Sequence, residues 1–177
     1  MRRSSMNRKQ MFTLSLAILT LLLTPQLAAT EPASTLAPLI PLSGKWVRRG
    51  EGTNGPSVVK QVFAFALGES HFVSKTTARF KPKDGEKTGQ LRESAGFFSY
   101  DPAEKNILYR EFTSDGQVNR YKLQKVSKDG MTITFQNDKG NGNQAENQTR
   151  LIFQLANQSN LQVIFSQSPG GKTFTPV

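Results

Sequence analysis

The sequence predicts an all-β domain, a single antiparallel up-and-down β-barrel of about eight to ten strands, and three observations carry that prediction. Polar and apolar residues alternate with a period of two over successive short segments. Gly, Pro, Asp, Asn and Ser gather between those segments at short intervals, as hairpin turns require. Nowhere does a 3.6-residue period persist long enough for a substantial helix.

The first 29 residues read as a secretory signal peptide. Arg2, Arg3, Arg8 and Lys9 form a basic start, Met11 to Leu23 is a 13-residue run broken only by Thr and Ser, and Pro25 and Leu27-Ala28-Ala29 follow. Cleavage is expected after Ala29, with the mature domain exported to a periplasmic or extracellular space. The run is short for a bilayer span, which needs about 20 residues; an uncleaved anchor is the alternative. Residues 30–41 carry three prolines and are expected to be an extended lead-in, with the barrel domain occupying 42–177.

The first strand is expected at Lys45–Arg49. In the second, Val59, Gln61, Phe63, Phe65 and Leu67 share one face, and Val58, Lys60, Val62 and Ala64 the other; Gly68-Glu69 then turns the chain. Phe72, Ser74, Thr76, Ala78 and Phe80 alternate with His71, Val73, Lys75, Thr77 and Arg79, completing a hairpin. After a loop at 81–90, Leu91–Tyr100 returns as a strand, and Asp101-Pro102 starts a tight turn. Further strands are expected at Ile107–Thr113, Gln117–Gln124, Met131–Gln136, Thr149–Leu155 and Leu161–Ser166, with Thr173–Val177 as a last candidate. Consecutive hairpins without long crossovers suit a meander better than a Greek key, and closing the sheet would remove both exposed edges.

Composition narrows the function classes. The chain has 177 residues, 36% of them hydrophobic, with 12 Phe, 3 Tyr and 1 Trp, enough for one packed core. The absence of Cys excludes disulfides, thiolate metal sites and a cysteine nucleophile. Four of the 23 basic residues lie in the leader, so 19 stand against 13 acidic ones in the remainder, about +6. No helix or loop gathers the basic residues among aromatics, so no nucleic-acid partner is expected. Lys81, Lys83 and Lys87 form one local cluster diluted by Asp84 and Glu86; it reads as a solvated hairpin tip, with weak contact to an anionic envelope surface as the alternative.

Leu42-Ser43-Gly44-Lys45-Trp46 places a Gly-x-Trp in the first strand, joined by Gly96-Phe97-Phe98-Ser99-Tyr100-Asp101-Pro102, Tyr109-Arg110-Glu111-Phe112 and Val118-Asn119-Arg120-Tyr121. Together these resemble the calycins, the lipocalin and fatty-acid-binding barrel group, and within it small bacterial barrels related to the nitrobindin-like haem-binding proteins. The resemblance implies structural roles for Gly44 and Trp46, with Trp46 plugging a barrel end and Arg150 stacking on it. In the haem-binding branch the resemblance implies an axial histidine on a late strand, and this sequence has none there; His71, the one histidine, falls with Lys75 and Arg79 on the expected outer face. No cofactor is expected.

Alternation places Glu93 with Leu91, Ala95 and Phe97, and Arg110 with Leu108 and Phe112, which would turn both charges inward as a cross-strand pair, structural or ligand-orienting. The opposite phase would turn Glu111 inward with Ile107 and Tyr109. Ser74, Thr76, Asn119 and Tyr121 are the neutral hydrogen-bonding candidates. Phe63, Phe65, Phe97, Phe112, Phe135, Phe153 and Phe165 are the candidate wall or filling of the interior. No nucleophile–histidine pair and no metal-spaced cluster is present in the sequence, which points away from an enzyme. The expected function is non-enzymatic binding of a small, largely apolar ligand inside the barrel; the alternative is a filled barrel that works through its loops, and a third reading, haem binding, requires His71 to face inward.

Overall fold

The computed structural model describes residues 35–51, 55–82, 85, 87–137, 147–169 and 173–176. The chain divides into two units, Met1–Thr30 and Glu31–Val177, and every described residue belongs to the second. The expected signal peptide, its cleavage site, Lys83, Asp84, Glu86 and most of the 137–147 turn lie outside the described residues.

Ten strands form one antiparallel sheet in sequence order. They are β1 (Gly44–Gly50), β2 (Ser57–Ala66), β3 (His71–Phe80), β4 (Leu91–Asp101), β5 (Asn106–Thr113), β6 (Val118–Val126), β7 (Thr132–Asn137), β8 (Asn147–Asn157), β9 (Asn160–Pro169) and β10 (Thr175–Pro176). The all-β meander expected from the period-two pattern is therefore the fold. Breaks in register between Leu123 and Lys125 and between Leu155 and Asn157 add local bend and twist.

Among the described residues the expected closure is not made: the sheet curls into a half-barrel. β1 and β9 approach within 8 Å, Cα to Cα, without pairing. Among the described residues β10 pairs with Ser166 and Gln167, and its Pro176 has no N–H to extend the ladder. The β1 edge carries Lys45, Arg48 and Arg49, the charge pattern that keeps an unpaired edge from templating another chain.

A second correction concerns the lead-in. Of the expected lead-in 30–41, residues 30–34 lie outside the described residues, and the described part does not run extended: Ala37–Leu42 is a 3-10 helix with Pro38 in its first turn. With three residues per turn, Leu36, Leu39 and Leu42 fall on one face, and all three are fully buried. Trp46 Nε1 donates to Leu42 O at 2.8 Å, tying this helix to β1. Gly44, between them, has φ of 126°, a conformation that glycine alone takes without strain.

The concave face holds the core. Phe63, Phe72, Phe98, Phe135, Phe153 and Tyr109 form a continuous set of ring contacts, the closest being the Phe98–Tyr109 stack at 4.1 Å. Each such ring removed from water contributes about 1.5–3 kcal/mol, which is what holds the curl together without a disulfide.

Candidate functional site

Register fixes which side chains meet on the concave face. Phe63, Ser74, Gly96, Glu111 and Asn119 stand side by side across β2 to β6, and Gln61, Thr76, Ser94 and Thr113 form the next row. Towards this end the concave face changes from rings to hydroxyls, amides and one carboxylate. A groove of about 250 Å3 opens there, lined by Thr76, Ser94, Glu111 and Asn119, with Arg92, Glu93 and Asp115 among its other lining residues.

Glu111 is the centre of this groove. Its Oε1 accepts from Ser94 Oγ at 2.9 Å and its Oε2 from Asn119 Nδ2 at 3.3 Å. Among the described residues no cation pairs with it. The buried Tyr109 neighbours Glu111, and its hydroxyl lies 3.4 Å from Ser74 Oγ. Gly96 leaves the room these two side chains take, because a Cβ there would collide with Ser74 Oγ and the Tyr109 ring. Burial, then the charge of Glu111, pushes the Tyr109 phenol well above 10.0, and the same two causes in the same order raise Tyr121. Both hydroxyls are therefore uncharged hydrogen-bonding groups at neutral pH.

The polar band continues towards β1. Gln61 is 4% exposed and accepts from Arg48 Nη1 at 2.7 Å. Desolvation lowers the Arg48 guanidinium to about 10. Arg48 also lines a cleft of about 690 Å3 at the seam between β1 and the start of β9, with Leu161 and Val163 across from it.

Several expected site residues are elsewhere. Glu93 and Arg110 are exposed and lie in the outward phase of β4 and β5, so the expected inward pair does not form; the register sets Arg110 opposite Phe97 and Arg120. The physical reason is strand phase: Phe98, Ile107 and Tyr109 turn inward, which sends Glu93, Phe97, Arg110 and Phe112 outward. Phe165 is also exposed, whereas Phe63, Phe135 and Phe153 lie in the core and Phe65 packs against it. Arg150 does not stack on Trp46. It sits on the other face, its guanidinium 3.7 Å from the Phe174 ring centre and its Nε donating to Gln136 Oε1.

Ser74, Thr76, Asn119 and Tyr121 do face inward as expected: Thr76 and Asn119 line the groove, Ser74 touches Tyr109, and Tyr121 stacks on Tyr109 at 5.7 Å. Sequence reasoning missed Ser94, Gln61 and Arg48 and held Glu111 only as the opposite phase. The usable signal was in β5, where Ile107 and Tyr109 form the cleaner apolar face once Arg110 is assigned to water. His71 lies in the outward phase of β3, its Nδ1 2.9 Å from Ser70 Oγ. Among the described residues no cluster of His, Cys, Asp and Glu could hold a metal ion.

No protein-family model matches the chain, and a search of curated proteins finds no match. Fold and groove alone define the class: an all-β up-and-down half-barrel with a carboxylate-centred polar groove on a concave face otherwise packed with aromatic rings.

Proposed function

We propose that this is an exported, non-enzymatic binding protein that takes a small amphiphilic ligand on its concave face, the polar head docking on Glu111. The single observation that carries the reading is a half-buried carboxylate, held in place by Ser94 and Asn119, with no ion-pair partner among the described residues and a groove in front of it that Arg92 also lines. Such a group favours an amine or hydroxyl donor on the ligand. The groove is smaller than the pockets of about 300–1,000 Å3 that enclose whole drug-sized ligands. It suits a head group, with the apolar remainder lying over the concave opening. Export rests on the pattern of the first 29 residues. The meander and the Gly44-Lys45-Trp46 start support a distant calycin relationship, and the outward phase of His71 argues against haem.

The test is native mass spectrometry of protein recovered from its host's envelope, followed by identification of what dissociates. A stoichiometric amine- or hydroxyl-bearing amphiphile is expected. Glu111→Gln should weaken its binding about ten- to a hundredfold, the value of a charge-assisted hydrogen bond, with the melting curve little changed. Unchanged affinity in both Glu111→Gln and Ser94→Ala would remove the groove from consideration.

The filled-barrel alternative has its own support: the rings of Phe63, Phe98, Tyr109 and Phe153 already occupy the interior, leaving the surface as the place where such a protein would work.

A further inference from the structure

The convex face of β1 to β6 has a composition that folding does not require. Lys45 on β1, Lys60 on β2, Lys75 and Arg79 on β3, Arg110 on β5 and Arg120 on β6 all point outward and are exposed. Glu93 shares that face, and Asp101 at its margin is occupied by the backbone N–H groups of Ala103 and Glu104. Lys122 is paired with Glu104, but none of the six cations named is in an ion pair among the described residues.

Apolar side chains lie among these charges. One register row runs Lys45, Val62, Lys75, Ala95, Phe112, Val118, and the next runs Ala64, Val73, Phe97, Arg110, Arg120. Phe97 and Phe112 are 42% and 44% exposed and touch edge to face at 6.1 Å. Two large rings left in water beside a ring of cations are the signature of a surface that meets an anionic, apolar partner.

A second observation is independent of exposure. Arg110 lies directly opposite Arg120 on the neighbouring antiparallel strand. Like charges in that position destabilise a sheet. An anionic partner shared by the two guanidinium groups would relieve the repulsion.

We infer that the convex face of β1 to β6 docks on an anionic lipid bilayer, with Phe97 and Phe112 entering the interfacial layer and the surrounding lysines and arginines on the headgroups. The mixed aliphatic and aromatic centre favours lipid over nucleic acid, because Val62 and Val118 offer nothing to a base and the two phenylalanine rings are engaged with each other. Attachment is peripheral. Lys60, Lys75, Arg110 and Arg120 stand on the face that a membrane-spanning barrel would turn to hydrocarbon, where each would be strongly unfavourable. The docking face is the opposite side of the sheet from the Glu111 groove, so the two readings stand or fall separately.

The experiment is co-sedimentation of the protein, in the N-terminal form its host produces, with two kinds of vesicle: phosphatidylglycerol and phosphatidylcholine in equal parts, and phosphatidylcholine alone. Binding is expected on the mixed vesicles, weaker by tenfold or more on phosphatidylcholine, and lost in 1 M salt, where the screening length falls to about 3 Å. Lys75→Gln and Arg110→Gln should each weaken it about fivefold, and Phe97→Ser about tenfold. Lys128→Gln, in the β6–β7 turn outside this face, should leave it unchanged. Because all variants share one N-terminus, any contribution of residues 1–30 is constant across them. Arg110→Gln should also raise the melting temperature of the free protein while weakening vesicle binding, a pairing that a structural role for Arg110 would not give. Equal binding to both vesicle types, indifference to the three face variants, or tighter binding to an oligonucleotide or an acidic polysaccharide than to the mixed vesicles would overturn the inference.

Discussion

Gly96 shows how one residue sets the concave surface. It lies mid-strand in β4, between Ser74 on β3 and Glu111 on β5, and its missing side chain is the space over which the Tyr109 ring lies. Gly96→Ala should therefore cost about 1–3 kcal/mol by overpacking, read as a lower urea midpoint, and should displace Tyr109 from its stack on Phe98. The two buried tyrosines make a second residue-level prediction. Their phenols are raised above the unfolded value of 10.0, by burial first and the Glu111 charge second. The unfolded chain therefore loses these protons at a pH where the folded chain keeps them. The stability they contribute is full below about pH 9 and declines above pH 10 as the unfolded state ionises. Urea midpoints measured from pH 8 to 11 should be flat and then fall, and Tyr121→Phe should make the fall shallower.

At the scale of elements, the 3-10 helix Ala37–Leu42 turns the segment before β1 into part of the core. The spacing of three between Leu36, Leu39 and Leu42 matches its turn, and the Trp46 indole closes it onto β1. Leu39→Ala is expected to cost about 2–5 kcal/mol, as for other fully buried leucines. Calorimetry checks this, and a cost below about 1 kcal/mol would show that the helix is not part of the cooperative unit. The strand phases are the other element-level lesson. β2 and β3 carried enough contrast between their faces for Phe63, Phe72, Ser74 and Thr76 to be assigned inward from the sequence. β4 did not: Glu93 and Phe97 alternate with Arg92 and Phe98, a charge and a ring on each side, and the inward side was settled by packing against Tyr109.

Across the whole unit of residues 31–177, the half-barrel separates two chemistries on the two sides of one sheet. The concave side concentrates the rings and ends in the Glu111 groove, and the convex side concentrates cations around Phe97 and Phe112. In sequence those cations are dispersed from Lys45 to Arg120, with no run longer than the Arg48-Arg49 pair among the described strands. That dispersal is why reading the chain for a local basic cluster singles out the 81–87 loop and passes over a broad patch. The sheet collects them because period-two alternation sends every second residue to the same side and register sets neighbouring strands side by side.

The sequence by itself determined the all-β class, a meander of about eight to ten strands, the turns at Gly68-Glu69, Asp101-Pro102, Ser114–Gly116 and Lys128–Gly130, and the inward side of β2 and β3. Those features are local: alternation and turn chemistry act within a few residues, and a hairpin needs only its two strands. Tertiary structure alone decided that the sheet curls into a half-barrel, that Arg150 meets Phe174 instead of Trp46, that Glu111 takes the inward strand phase while Glu93 and Arg110 take the outward one, and that six scattered cations share one surface. Each of these depends on which strands become neighbours and on which of two similar faces buries more apolar area, comparisons between segments distant in the chain that no local pattern contains.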